Sequence, residues 1–460
     1  MFTIVDVIVE ANPNSLALLQ QRVTALALKE DPPGPDTPSF LRLKQIDQLH
    51  FLSLEIFQDQ HFDPLLVFEN NFDGDSESYW RKVLEQIGDD LRAIFACTKP
   101  AAEERWAPLF KDGSTLSLEP FIKQYSITPS ASHIGAVGMT LQRINRDRNV
   151  FSTVQTELGS AALPYRGLTS VELHGKLRTQ VLQRHPDLAS GEVRSVEQER
   201  SSYSRAAWWR VLPFIIAAFI SVVALGLLAL SEYLPHHGYP WARSVLRWLL
   251  ALVLFGAAAF WATLRRLEDS DLTQDDPDLE PEELKKFAAQ EDHIVQNHVA
   301  STVLVKAGVV RSIVIRASLR LLKQFVPAVC ADGYLGEMRT IHFAHWTLVG
   351  NGGRLLFLSN FDGSWQSYLD DFVDKAHRGL TLAWGNCIGF PRTRNLLYEG
   401  ATHGREFKVW ARRSQTQSLF WYSGYSDLTV NQILRNASIV DGICKSSMTE
   451  SEAEEWAKLL

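Results

Sequence analysis

"NFDGD" at Asn71–Asp75 and "NFDGS" at Asn360–Ser364 are one phrase written twice in a chain of 460 residues. Each follows an apolar run, and each is followed by Ser-Tyr, at Ser78-Tyr79 and Ser367-Tyr368. Phe361 lies 289 positions after Phe72, and Tyr368 lies 289 after Tyr79. Further on, "TLQRINR" at Thr140–Arg146 faces "TVNQILR" at Thr429–Arg435 at the same offset. Two separated matches at one offset point to an internal repeat, and a repeat bears on the fold before any local pattern does.

The flanking segments agree as well. "LHFLSLEIF" at 49–57 pairs with "IHFAHWTLV" at 341–349, and "LLVFEN" with "LLFLSN". Short apolar runs rich in β-formers predict strands. "FTIVDVIVE" and "ASTVLVK" predict an earlier strand in each half, and "SLALLQQRVTALAL" and "SIVIRASLRLLKQFV" a helix. After the phrase come an amphipathic segment and a fourth apolar run, "LRAIFAC" or "LTLAWGN". The order in each half is therefore β-α-β-β-α-β, the split arrangement with helices on one face of an antiparallel sheet. Two such sheets would cover each other's open faces. This element order resembles the dimeric α+β barrel superfamily. The expected fold class is α+β, with two tandem ferredoxin-like domains packed as an intrachain barrel.

Between the halves, "VLPFIIAAFISVVALGLLAL" at 211–230 holds no charged residue. A second run extends over 245–264, with Arg247 near its start. About 20 apolar residues in a helix span a bilayer core. Trp208, Trp209, Tyr233, Trp241, Trp248 and Trp261 mark the ends as an aromatic belt. The alternative is a helical hairpin buried in a soluble core. Arg200, Arg205, Arg210, Arg265 and Arg266 flank the pair, whereas the loop offers Arg243, so both soluble parts are expected on the cytoplasmic side of a bacterial inner membrane. No ionisable residue sits mid-span, which argues for an anchor over a transport path. The expected boundaries are 1–158 for the first domain, 159–206 for a helical linker and 207–267 for the hairpin. An acidic linker at 268–296, the second domain at 297–445 and a tail at 446–460 complete the chain.

Composition excludes some functions. The formal net charge is -7, which gives no basic field for nucleic acid. Four cysteines, Cys97, Cys330, Cys387 and Cys444, form no C-x-x-C pair, so neither a zinc site nor a disulfide framework is expected. The N-terminus reads as a strand, without the basic region of a signal peptide. P-loop, serine-hydrolase and zincin motifs do not occur.

Each "FDG" falls where a strand turns into a helix. Asp73 and Asp362 are therefore expected to cap the helix that follows at once. The functional alternative comes from "SNFDG" at Ser359–Gly363, which resembles the G-x-x-D-G motif of dye-decolourising haem peroxidases, with Ser359 in place of the first Gly. That resemblance implies Asp362 and Asp73 as catalytic acids beside Arg435 and Arg146, with haem as cofactor and His133 or His403 as its axial ligand. His342 and His345, three apart on a strand, point to opposite faces and cannot share a metal. His236 and His237 in the loop are expected to be solvated. Arg392, Arg394, Arg405, Arg412 and Arg413 form a basic cluster around "EFKVWARR", expected as a solvated strand face or a site for an anionic ligand. The function expected from the residues is a membrane-anchored module that binds a small ligand or partner between its sheets. The alternative is a peroxidase-like oxidoreductase.

Overall fold

The structure is a computed structural model that describes all residues except 1, 33–37, 160–164, 166, 191–193, 232–239, 273–280, 290, 331–334, 336 and 337. The loop carrying His236 and His237, the centre of the acidic run and the centre of the proline-rich loop "PPGPDTP" at 32–38 thus lie outside the described residues.

The first half runs β1 (Phe2–Glu10), α1 (Leu16–Glu30), β2 (Leu49–Phe57), β3 (Leu65–Asp73), α2 (Ser76–Phe95), α3 (Glu119–Tyr125), β4 (Ser126–Ile127), β5 (Ala131–Ile134) and α4 (Leu141–Gly159). Three helices follow: α5 (Ser170–Arg184), α6 (Val196–Ser231) and α7 (Pro240–Asp269). The second half runs α8 (Pro281–Ala288), β6 (Gln296–Leu304), α9 (Val309–Val329), β7 (Ile341–Val349), β8 (Arg354–Asp362), α10 (Trp365–Asp371) and α11 (His377–Trp384). It ends with β9 (Thr393–Arg394), β10 (Tyr398–Glu399), α12 (Gly404–Ser414), β11 (Gln415–Thr416), β12 (Phe420–Ser423), α13 (Val430–Cys444) and α14 (Glu450–Ala457).

Two five-stranded antiparallel sheets form the body, in the orders β12-β2-β3-β1-β4 and β11-β6-β8-β7-β5. Each sheet borrows an edge strand. β5 leaves the first half to pair with β7, and β12 leaves the second half to pair with β2. The sheets pack face to face through Ile8, Phe57 and Val67 of one and Val349, Leu356 and Leu358 of the other. Strand alternation sends Val7, Leu54 and Phe68 to the opposite face, against α1 and α2. Leu355, Phe357 and Trp346 likewise meet α9–α12. The helices α4 and α13 pack together across one end of the sandwich.

The closed barrel is not formed. β4 and β12 end one sheet, β11 and β5 the other, so both stay open. The expected ferredoxin-like unit also fails at its fourth strand. "LRAIFAC" lies on the C-terminal end of α2, and "LTLAWGN" begins inside α11. Leu91, Ile94 and Phe95 follow helical spacing and bury together, and a short apolar run cannot distinguish the two periods. "EFKVWARR" is likewise helical, as α12.

Two helices have the length and hydropathy to cross a membrane, over Val196–Gly226 and Arg247–Asp269, and only 6% of each apolar window is buried. Trp248 and Phe255 are 77% and 73% exposed, so these are not core helices. The helix α6 starts fifteen residues before the apolar run, which places Pro213 in its interior. Its lower part packs on α9 through Ala207 and Val211 against Phe325 and Ala328. The lower end of α7 is held by Glu268. This buried carboxylate accepts bonds from Thr393 Oγ1 (3.0 Å), Asn395 N (2.9 Å) and Leu396 N (2.8 Å), and pairs with Arg265 (2.6 Å).

Candidate functional site

The Phe, the Asp and the Gly of the repeated phrase have matching roles in both halves. Phe72 stacks on Tyr79 at 3.7 Å, and Phe361 on Tyr368 at 3.9 Å. The Tyr79 hydroxyl bonds Asn70 Oδ1 (2.7 Å), and the Tyr368 hydroxyl meets Ser359 Oγ (2.7 Å). Gly74 and Gly363 turn the chain at φ +88° and +78°, where a side chain would be strained. The aspartates cap helices, though not the adjacent ones. Asp75 caps α2 and Ser364 caps α10. Asp73 Oδ2 instead accepts Leu141 N at 2.7 Å, the first amide of α4, and Asp362 Oδ2 accepts Val430 N at 2.8 Å, the first amide of α13.

Each aspartate also meets a histidine. The β2–β3 ladder shifts register between Leu49 and Phe51, and the β7–β8 ladder between Ile341 and Phe343. His50 and His342 are the extra residues at these bulges, which aim them at the neighbouring strand. His342 Nε2 bonds Asp362 Oδ1 at 2.7 Å, and His50 Nε2 stands 3.0 Å from Asp73 Oδ2 in ion-pair contact. His50 Nδ1 meets the Tyr425 hydroxyl at 3.0 Å. Burial, with Asp73 and Asp362 nearby, pushes the Tyr425 phenol up, so it keeps its proton. The position 289 before Tyr425 is Ala136, and His342 Nδ1 accordingly has no hydrogen-bond partner among the described residues.

A second polar group lies deeper between the sheets. The first sheet contributes Asp6, Glu55 and Glu69, and the second contributes His298 and His345, all buried or nearly so. Glu69 is the hub. Its oxygens accept from Asn71 (2.7 Å), Asn360 (3.1 Å), Ser53 (2.9 Å) and His298 Nε2 (3.0 Å). The asparagines of both copies of the phrase thus converge on one carboxylate. Burial opposes ionisation of Glu69, but the bond and charge of His298, the charge of His345 and the Asn71 bond outweigh it, holding its pKa down to about 2. His345 Nε2 bonds Asp6 at 3.0 and 3.1 Å, and Thr347 adds a bond at 2.9 Å. Burial works against the imidazolium of His345, yet Asp6 and then Glu69 raise its pKa above the ordinary value. Glu55 is the exception. Burial first, and the Glu69 charge second, push its pKa well up. The hydroxyls of Ser53 and Ser418 beside it are engaged by Glu69 and His298.

The residues proposed from sequence fall into separate places. Asp73 and Asp362 join the histidine pairs. Arg146 bonds the neighbouring Asp147 (2.7 and 2.9 Å), and Arg435 bonds Asn436 and lies over the Phe151 ring, so neither is bonded to the aspartates. His133 is buried on β5 opposite Ala344, whereas His403 is exposed at the start of α12. The arginine cluster disperses. Arg392 pairs with Asp269, and Arg412 pairs with Glu291 and stacks over Trp365. His342 and His345 do diverge, one toward Asp362 in its own sheet and one toward Asp6 in the other. Sequence reasoning passed over Asp6, Glu55, Glu69, His298 and Tyr425. Each acid sits inside an apolar strand run at an inward-facing position, which is a readable signal of a buried charge.

No protein-family model, curated protein or solved structure matches the chain. Among the described residues, no group of three or more His, Cys, Asp and Glu side chains is placed to hold a metal ion. With the sheets open as well, the likeness to dye-decolourising peroxidases and to the α+β barrel superfamily is not upheld.

Proposed function

We propose that the protein is a membrane-anchored binding module, with α6 and α7 crossing a bilayer and the two-sheet body standing on its cytoplasmic face. One observation carries this reading: two helices whose apolar windows are 94% unburied cannot remain in water. The ends of both helices are built into the second half, α6 on α9 and α7 through Glu268, which fits an anchor that holds the body at a fixed orientation. The arginine bias of the flanks supports the cytoplasmic side.

The space between the sheets is filled by the acid–imidazole group, so the ligand is better placed outside the sandwich. A cavity of about 560 Å³ beside α12, lined by Trp365, Val373, Val409 and Arg412, has the size of a small-molecule site. Its apolar walls suit an apolar molecule, and its rim is of mixed charge, with Lys408 paired to Asp370 and Arg412 to Glu291.

Alkaline carbonate extraction of membranes from expressing cells tests the anchor. The full chain is expected in the pellet, and release into the supernatant would sink the proposal. In intact cells, His237→Cys in the loop should react with an impermeant thiol reagent. Reaction at Ser270→Cys instead would invert the orientation. The visible spectrum of the purified protein is a further check, since a Soret band would assign a haem and replace the non-redox reading.

A further inference from the structure

Where α6 leaves the body, a cavity of about 780 Å³ opens between α9, the β4–β5 turn and the first apolar turns of α6. Its basic wall is one face of α9. Arg316, Arg320 and Lys323 stand at i, i+4 and i+7, on the same side of the helix, and all three are exposed. Among the described residues, no carboxylate lines the cavity. Arg316 donates to Asn351 O (2.6 Å) and weakly to Ser312 Oγ (3.4 Å), and Lys323 donates to Pro129 O (3.2 Å). None of the three forms an ion pair with an acid among the described residues. In a chain with a net charge of -7, three neighbouring cations left without acids are a local reversal.

The opposite wall is the start of the apolar run of α6. Val211 is buried against Phe325 and Ala328, and among the described residues of α6 those after it are exposed. Phe214 is three residues further, about 4.5 Å along the helix. It is 54% exposed and lines the cavity. Leu321, also lining it, is 46% exposed. Phe214 and Leu321 thus line the same cavity as the three cations, and Phe214 belongs to the apolar run of α6. With the apolar run of α6 that begins at Val211 inserted in a bilayer, a cavity beside Phe214 borders the start of the hydrocarbon core, next to a headgroup layer roughly 5–8 Å deep.

We propose that this cavity binds the phosphate headgroup of an anionic phospholipid, with Arg316, Arg320 and Lys323 holding the phosphate and Phe214 and Leu321 meeting the first acyl carbons. The proposal rests on membrane insertion of α6. Basic pockets beside membrane helices recognise anionic headgroups through this combination of charge and apolar contact. A free phosphate ion would use the cations but gain nothing from Phe214 and Leu321.

The test uses the full chain in nanodiscs of phosphatidylcholine containing phosphatidylglycerol, followed by native mass spectrometry of the lipids retained on release. Wild type is expected to retain phosphatidylglycerol selectively. The triple variant R316Q/R320Q/K323Q should bind it on the order of a hundredfold more weakly, about tenfold or less per charge removed. Recovery of the variant in nanodiscs, with an unchanged melting temperature in lipid-free detergent, shows that insertion and folding persist. The charge-preserving variant R316K/R320K should keep most of the selectivity. Equal retention of phosphatidylglycerol by wild type and the triple variant would overturn the proposal. So would inorganic phosphate at millimolar concentration raising the melting temperature as much as phosphatidylglycerol does. Failure of the wild type to enter nanodiscs at all would instead overturn the anchor reading.

Discussion

The aspartate of the repeated phrase caps a helix that begins 68 residues later, at Leu141 or Val430. Local capping rules pointed to the adjacent helix because they see only the first few residues after a cap. The Ser-Tyr pair and the phrase itself were legible as a repeat; their partners were not, because those contacts are set by tertiary packing. The two aspartates should differ in energetic weight. His342 has Asp362 as its hydrogen-bond partner, whereas His50 keeps Tyr425 if Asp73 is lost. Asp362→Ala would leave a helix amide and a buried imidazole without partners, costing about 2–4 kcal/mol. Asp73→Ala should cost about 1–2 kcal/mol. Asp362→Asn should cost about 1 kcal/mol or less, since its amide oxygen can still accept from Val430. Its amide N–H can donate to His342 Nε2 once the imidazole proton moves to Nδ1, which has no partner to lose. Chemical denaturation of the three variants measures these costs, and equal losses at Asp73→Ala and Asp362→Ala would refute the assignment.

At the scale of elements, the strands that alternate or bury on both faces were readable, and so were the long apolar helices. The exchange of β5 and β12 between the sheets was not. A two- to four-residue strand carries no pattern that names its partner, and both pairings join distant parts of the chain, Ala131 with Trp346 and Phe420 with Leu54. The seat of α7 was also hidden. Asn395 and Leu396 adopt left-handed φ values of +52° and +61°, so their successive amides form a concave anion site, and Glu268 fills it. Left-handed backbone at a leucine is costly and needs that carboxylate to hold it. Glu268→Ala should therefore loosen residues 393–399 while leaving the sheets intact. Amide hydrogen exchange in that loop should quicken about tenfold or more, with little change in β3 or β8. Unchanged exchange in the loop would mean that Glu268 does not hold α7 to the body.

Across the whole molecule, the sheets are electrically unlike: carboxyl groups line the first inner face and imidazoles the second. Burying such groups is costly unless they are matched, so protonation should govern how well the halves fit. The direction follows from three groups. His345 has a raised pKa in the folded protein, so its contribution is complete below its unfolded value near 6.5 and is lost as pH rises through the folded value. Glu55 is raised as well, so folding takes up a proton there, and stability declines as pH climbs above its ordinary value of about 4.5. Glu69 is depressed to about 2, so its contribution is present above the ordinary carboxylate range and is lost as pH falls toward 2. Together these place the greatest stability in mildly acidic solution, between the carboxylate and imidazole ranges. The melting temperature should be higher at pH 5.5 than at pH 8.5. Glu55→Gln removes a carboxyl group that must otherwise stay protonated or ionise beside Glu69. It should therefore raise the melting temperature at pH 8.5 by more than at pH 5.5, and flatten the alkaline decline. The same shift at both pH values would show that Glu55 takes up no proton on folding. A melting temperature that rises from pH 5.5 to 8.5 in the wild type would show that the acid–imidazole group does not control the fit of the two sheets.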